Sequence, residues 1–150
     1  MTAWRTDYLG HDRQYRKRRA DGRPGWGWAE DIRESHAALE RLLQSDHAPR
    51  PGERVLEIGC VAGDNTLFLA ERGFEAHGLD IAPAAVAWAR EKAAARSLSA
   101  HFTVGDVRIL DDQADASFDF VLDGCCLGRG SLVVVLVVCG HGTFGRDSLS

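Results

Sequence analysis

The ten-residue run from Val55 to Asp64, VLEIGCVAGD, constrains the fold more than any other part of the chain. Its pattern predicts a buried strand, a glycine turn and the start of a helix. Gly59 and Gly63 leave backbone space that a side chain would fill, and Asp64 or Asn65 suits the helix N-cap. The run therefore predicts a pocket for a nucleoside-bearing ligand at the carboxyl end of a parallel strand.

Strand and helix patterns alternate through the middle of the chain. The predicted strands cover 54–58, 74–79, 101–104 and 118–122, and the predicted helices cover 65–72 and 83–96. Gly73 suits the C-terminal cap of the first helix and Pro83 the first turn of the second. Alternation of this kind indicates a parallel sheet with helices on both faces. With right-handed crossovers, we predict an α/β, Rossmann-like, doubly wound fold.

Three regions differ in composition. Residues 1–49 form a basic and aromatic segment with a predicted helix over 29–44 that packs on the domain, and residues 50–127 form the predicted cofactor-binding core. In the atypical tail over 128–150, the β-branched run 132–138 is strand-like but follows strand four too closely for a parallel crossover. We expect an antiparallel hairpin or an edge strand there, so that the parallel sheet is incomplete after strand four.

Composition and charge narrow the functional classes. The 150 residues suffice for one domain, and the net charge of -4 argues against a nucleic-acid partner. The longest apolar run, Leu132 to Cys139, is far shorter than the roughly 20 residues of a membrane span. The four cysteines include no CxxC pair, so no metal site is expected. We expect a cytoplasmic protein without a membrane partner, as a monomer or a weak homodimer.

The N-terminal segment leaves two pairs of interpretations open. Its basic side chains could contact phosphates, or they could form a solvated helix face or a frayed leader, which we prefer. They are Arg13, Arg16, Lys17, Arg18, Arg19 and Arg23. Its aromatic residues Tyr15, Trp26 and Trp28 could cap the pocket and contact an acceptor, although simple packing against the sheet is favoured.

The glycine spacing distinguishes between two classes of cofactor. A nicotinamide fingerprint is G-x-G-x-x-G, but counting from Gly59 the next two glycine positions hold Val61 and Asp64. An acid at the helix start repels a pyrophosphate but does not repel a sulfonium. Glu57, just before the turn, suits the ammonium of the amino-acid end of S-adenosylmethionine. We therefore favour S-adenosylmethionine over a dinucleotide.

Two further carboxylates follow the next predicted strands. Asp80 ends strand two, where it can accept hydrogen bonds from both ribose hydroxyls of a nucleoside. Asp106 follows strand three and can accept from an adenine amine, while the Val107 amide donates to a ring nitrogen. The alternative for Asp106 is an ordinary turn aspartate after a glycine.

Four segments in register resemble the class I S-adenosylmethionine-dependent methyltransferases. The resemblance covers residues 50–127. Residues 57–63, EIGCVAG, resemble the first motif of that family, E/D-x-G-x-G-x-G. The other three motifs correspond to 78–81, to 105–107 and to 118–123.

The resemblance implies a role for each site residue. Glu57 would hold the methionine end of the cofactor, Asp80 the ribose, and Asp106 with Val107 the adenine. Asp123, with Gly124, would border the methyl-donor end. The remaining expected cofactor contacts are Gly59, Cys60, Gly63 and Ile81. No catalytic residue is assigned, because methyl transfer requires mainly positioning and desolvation.

Two departures from the family pattern keep alternatives open. Val61 stands at the central glycine of the first motif, where a β-branched residue fits a positive φ poorly. Family members continue with three more strands, so the chain is expected to be truncated at its C-terminal side. The leading hypothesis is a methyltransferase for a small-molecule acceptor. The alternatives are a non-catalytic remnant that binds the cofactor and a nicotinamide-dependent oxidoreductase.

Overall fold

The computed structural model describes residues 7–107, 118–124 and 134–136. Nine elements follow one another in this part of the chain. They are α1 (Tyr8–Ala20), α2 (Ala29–Leu43), β1 (Arg54–Ile58), α3 (Asp64–Glu71), β2 (Glu75–Asp80), α4 (Pro83–Ala95), β3 (His101–Val104), β4 (Phe120–Asp123) and β5 (Val134–Leu136). Within these ranges, no helix combines the length and the apolar character needed to cross a membrane.

The strands form one sheet in the order β3-β2-β1-β4-β5. The first four strands are parallel, and β5 runs antiparallel to β4. The chain therefore builds outward from β1 to β3 and then crosses to the other side of β1. A crevice for a ligand lies at such a reversal, outside the carboxyl ends of the strands. Both the Rossmann-like parallel sheet and the antiparallel strand of the tail are confirmed.

Alternating positions of the strands build two apolar layers. On one face, Val55, Phe120 and Leu122 pack with Leu39 of α2 and with residues of α3, and α4 packs on the same face through Phe102 of β3. On the other face, the cluster comprises Leu56, Ile58, Leu79 and Phe118, with Val107 and Val121 packed against it. In the described ranges, the first layer thus carries α2, α3 and α4.

Small residues allow α4 and the turn after β1 to approach the sheet closely. Ala85 and Ala89 of α4 are fully buried, and Pro83 occupies the first turn as expected. Gly78 of β2 cannot carry a side chain, because a Cβ there would lie 2.7 Å from Phe102 Cδ1 and 2.9 Å from Cys60 Cβ. This glycine therefore lets the turn after β1 rest directly on β2.

Helix α1 decides between the two forms of the preferred interpretation of the N-terminal segment, because its basic side chains Arg16 and Lys17 form a solvated helix face. Residues 8–20 form a helix capped by Asp7, whose Oδ1 accepts from the Gly10 amide at 2.8 Å. Only Tyr15 is buried, so the helix lacks the apolar stripe that would have predicted it. Instead, Asp12 Oδ1 accepts from the Ala84 amide at 2.7 Å and fixes α1 to α4. A frayed leader is therefore wrong for this part of the chain.

Several element boundaries differ from the prediction by one or two residues. Helix α3 begins at Asp64, while β2 and β4 begin at Glu75 and Phe120. Phe74 and Phe118 lie just before these strands and are buried, which explains why they appeared to belong to them. The polar loop over 111–117, the remaining cysteines, which are Cys125, Cys126 and Cys139, and residues 141–150 lie outside the described residues.

A pair of leucine substitutions tests the buried layer. Leu67 of α3 is fully buried, whereas Leu9 of α1 is 74% exposed. We expect Leu67→Ala to lower the free energy of unfolding by about 2–5 kcal/mol, because it leaves a cavity. Leu9→Ala should change it by less than about 0.5 kcal/mol. Chemical denaturation measures both, and equal losses would contradict this packing.

Candidate cofactor-binding site

The turn after β1 contains three residues in the left-handed region. Gly59, Val61 and Gly63 have φ values of 66°, 56° and 82°. The Cys60 amide donates to the Leu79 carbonyl at 3.0 Å, so the turn folds back over the end of β2. The structure therefore gives position 61 a positive φ, which the sequence left as a condition. A β-branched residue is strained there, whereas glycine at 59 and 63 is not.

Glu57 is a buried carboxyl group at the end of β1. Its exposure is only 2%. Oε1 accepts from Asn65 Nδ2 at 3.1 Å, and Oε2 accepts from the Thr66 hydroxyl. A Cβ at Gly124 would lie 2.3 Å from Oε1, so glycine is required after β4. Burial raises the pKa of Glu57 to about 8, against the opposing effect of the Thr66 and Asn65 hydrogen bonds.

Asp80 ends β2 and lies beneath the turn. Its Oδ2 accepts from the Val61 amide at 2.9 Å and from the Tyr15 hydroxyl at 3.3 Å. Its Oδ1 accepts from the Ala82 amide at 3.0 Å. Burial raises the pKa of Asp80, and the three donors oppose that shift. Asp80 therefore joins the turn after β1, the start of α4 and helix α1.

Asp106 follows β3 and also contacts α1. Its Oδ2 accepts from the Tyr8 hydroxyl at 3.2 Å. The Gly105 amide donates to the Asp80 carbonyl at 2.9 Å, which aligns the ends of β2 and β3. Tyr8 and Tyr15 lie about two turns apart on one face of α1. Their hydroxyl groups thus contact the two carboxylates that the sequence assigned to the nucleoside.

The remaining predicted site residues lie along the same edge. Asp123 ends β4 beside Ile58 of β1 and is only 3% exposed. Cys60 is buried and its side chain packs with the core, so at this position it can present only its backbone to a ligand. Ile81 and Val107 are half-buried. The fold therefore brings all the predicted residues to the carboxyl edge of β1 to β4.

Sequence reasoning missed two partners of these carboxylates. Tyr8 was given no role, because it is separated from Asp106 by 98 positions in the sequence. Thr66 completes the hydrogen bonding of Glu57 and is fully buried on the first turn of α3. The sequence feature that could have indicated Thr66 is a polar residue on the inward face of a helix start. Nothing in the sequence pattern pointed to Tyr8.

A family model for the methyltransferase domain matches residues 55–131. This match covers half of the chain and all four strands that form the site. The chain belongs to the methyltransferase domain family. The assignment confirms the resemblance to class I S-adenosylmethionine-dependent methyltransferases and the cofactor expected from the sequence.

Known proteins similar to this methyltransferase domain differ in what they act on. A 23S rRNA (uracil(1939)-C(5))-methyltransferase of Shewanella sp. (strain ANA-3) is 48% identical over 52 residues, which is 35% of this chain and 12% of that protein. Demethylmenaquinone methyltransferase of Deinococcus radiodurans is 40% identical over 94 residues, or 61% of this chain and 35% of that protein. The chain thus spans about a third or less of these two relatives.

The fold is shared by a solved structure that was described for the conversion of a disulfide bond into a thioacetal group during echinomycin biosynthesis. The TM-score is 0.62 at 34% identity, and the match covers 79% of this chain and 46% of the other. Nearly four fifths of this chain therefore has a counterpart in a known architecture.

The strain at Val61 gives a test of the turn. We expect Val61→Gly to bind S-adenosylhomocysteine more tightly, because glycine removes the valine side chain from the turn that the cofactor approaches. Val61→Ala is the matched control, since it shortens the side chain but keeps the Cβ, and it should gain less. Calorimetric titration measures both, and unchanged or weaker binding by Val61→Gly would refute a constrained turn.

The raised pKa of Glu57 predicts how stability depends on pH. The native state holds this proton up to a pKa of about 8, whereas the ordinary value is 4.5. Its contribution to the free energy of unfolding is therefore full below pH 4.5 and is lost as the pH rises to about 8. Glu57→Gln should flatten this part of the profile measured by denaturation at several pH values.

Glu34→Gln is the control for that profile. It makes the same change of charge at an exposed position on α2. We expect its pH profile to follow that of the unaltered protein. If both variants changed the profile equally, the buried carboxyl group would not be its cause.

Proposed function

We propose that this chain binds S-adenosylmethionine at the carboxyl edge of its parallel sheet, as part of an enzyme that methylates a small molecule. The observation that carries the proposal is the meeting of Glu57, Asp80, Asp106 and Asp123 at the ends of four adjacent strands, around one left-handed turn. A set of carboxylates suits a ligand with hydroxyl, amine and ammonium donors and a sulfonium charge.

Each carboxylate takes one part of the ligand in this proposal. Asp80 already accepts from a tyrosine hydroxyl, and the ribose hydroxyls would be donors of the same kind. Asp106 would accept from the adenine amine, with the Val107 amide as donor to the ring. Asp123 and Gly124 would border the methyl group.

Glu57 would stabilise the methionine end through its charge. Both of its oxygens already accept hydrogen bonds from α3, so a direct bond to the ligand would have to share one of them. An ammonium nearby favours the ionised carboxylate and would lower the raised pKa. Binding of the methionine end and release of a proton from Glu57 would therefore be linked.

The chemistry requires little from the protein beyond positioning. When bound, S-adenosylmethionine supplies a methyl carbon that already carries a good leaving group. The strand ends would orient it for in-line attack and exclude water from the transfer. A base would be needed only for an acceptor that arrives protonated. His36 is not suited to that role, because it contacts the Asp64 carbonyl at 3.2 Å and packs against the Phe68 ring in a tilted arrangement.

A small-molecule acceptor is favoured over RNA by the charges of α1. Arg16, Lys17 and Arg19 are paired with acidic side chains of this chain, so the basic segment is not a row of uncompensated charges. Demethylmenaquinone methyltransferase, one relative, is named for a small molecule. A reducing cytoplasmic location completes the proposal.

A second candidate is a domain that binds the cofactor without transferring its methyl group. The observation that favours it is the valine held at a φ of 56° in the turn. This candidate makes the same prediction for cofactor binding but predicts no transfer to any acceptor. A nicotinamide-dependent oxidoreductase is the third hypothesis, and it predicts binding of NADH instead.

Calorimetric titration with S-adenosylhomocysteine tests the proposal. We expect saturable binding in the roughly micromolar range and no binding of NADH. Asp80→Asn should weaken binding about tenfold or more, because it removes a charged hydrogen-bond acceptor worth about 1.5–3 kcal/mol. Asp46→Asn changes an exposed loop carboxylate and should bind as the unaltered chain does.

A second variant guards against loss of folding. Asp80 also holds the turn, so circular dichroism must show that Asp80→Asn is folded. Asp106→Asn lies further from the core and should weaken binding through the adenine alone. Absence of saturable binding by a folded chain would refute the proposal, whereas binding without transfer to any acceptor would favour the second candidate.

A further inference from the structure

Two histidines and a glutamate meet on the sheet, at the end of the strands opposite to the cofactor edge. Glu75 begins β2, His77 lies two positions later, and His101 begins β3. Residues two apart on a strand share a face, and His77 is the direct cross-strand partner of His101. All three side chains therefore extend from one face of the sheet.

The three side chains are close enough to share one ion. One donor atom from each lies within 4.8 Å of the other two. His77 Nε2 and Glu75 Oε1 are 3.1 Å apart, and the two imidazole rings stack with centroids 4.7 Å apart. Around a tetrahedral zinc ion with bonds of about 2.0 Å, donor atoms lie roughly 3.3 Å apart. The His101 side chain is exposed, so its ring has room to rotate towards the other two donor atoms.

The carboxylate of the cluster also has a partner outside it. Arg54 Nε donates to Glu75 Oε1 at 3.0 Å and orients the carboxylate from outside the cluster. An outer partner of this kind is typical of metal sites in proteins.

We propose that Glu75, His77 and His101 bind one zinc ion that joins β2 to β3. Two imidazoles and a carboxylate are a donor set that zinc accepts, and the fourth position would hold water. The cysteine spacing could not predict such a site, because its ligands lie on two strands and none is a cysteine. β3 stands first in the strand order, so the ion would fix an outer strand to its neighbour.

Titration of the purified chain with Co²⁺, followed by competition with Zn²⁺, tests the site. We expect one ion per chain, visible absorption from a tetrahedral site of nitrogen and oxygen ligands, and no thiolate charge-transfer band. The double variant His77→Gln/His101→Gln should lose at least as much affinity for Co²⁺ as the roughly 10–100-fold that removal of an outer partner alone costs. His47→Gln removes an exposed histidine outside the cluster and should bind normally.

Stability gives an independent measurement. Zn²⁺ should raise the thermal midpoint of the unaltered chain and of His47→Gln, because an ion that binds only the native state stabilises it. It should leave the double variant unchanged. If the double variant does not fold, imidazole resonances of the unaltered chain report the site, and Zn²⁺ should shift those of His77 and His101 first.

Three outcomes would overturn the proposal. They are no binding by the folded chain, equal binding by the double variant, and a thiolate band that places the ion on cysteines. Each is distinct from the cofactor experiment, because S-adenosylhomocysteine binds at the opposite ends of the strands. Failure of one proposal therefore leaves the other standing.

Discussion

The carboxylate of Asp80 holds together the segments on which the candidate site depends. Its oxygens accept from the Val61 amide, the Ala82 amide and the Tyr15 hydroxyl. Without these donors, a carboxylate that is 6% exposed would lose its hydration without compensation. The bond from the Val61 amide also stabilises the left-handed conformation of this valine, because it holds the amide in the direction that the turn requires. One side chain thus stabilises the fold and faces the expected ribose.

Parallel pairing turns four separate strand ends into one electrostatic surface. Glu57, Asp80, Asp106 and Asp123 come from different strands but reach the same edge. Burial raises the pKa of Glu57 and of Asp80, so it disfavours the ionised forms of both carboxyl groups. A ligand that carries a sulfonium and an ammonium would offset this cost. The fold therefore prepares this edge for a cationic ligand before any specific contact is made.

Helix α1 shows how polar contacts can dock a helix without an apolar stripe. Asp12 accepts from the start of α4, while Tyr8 and Tyr15 donate to Asp106 and Asp80. These partners lie 65 to 98 positions away in the sequence. Only a chain that has already formed its sheet presents them together. The helix is consequently bound to the very groups that the nucleoside would use.

Local patterns in the sequence determined the strands, the helices after β1 and β2, the left-handed turn and the carboxylates at the strand ends. The spacing of hydrophobic residues and the positions of glycine and proline influence only a few neighbouring residues, so their effects can be predicted without a structure. Tertiary structure alone decided the docking of α1, the burial of Glu57 against Thr66 and Gly124, and the meeting of His77 with His101. The physical reason is that these contacts depend on strand order and register, which bring together residues that no local pattern connects.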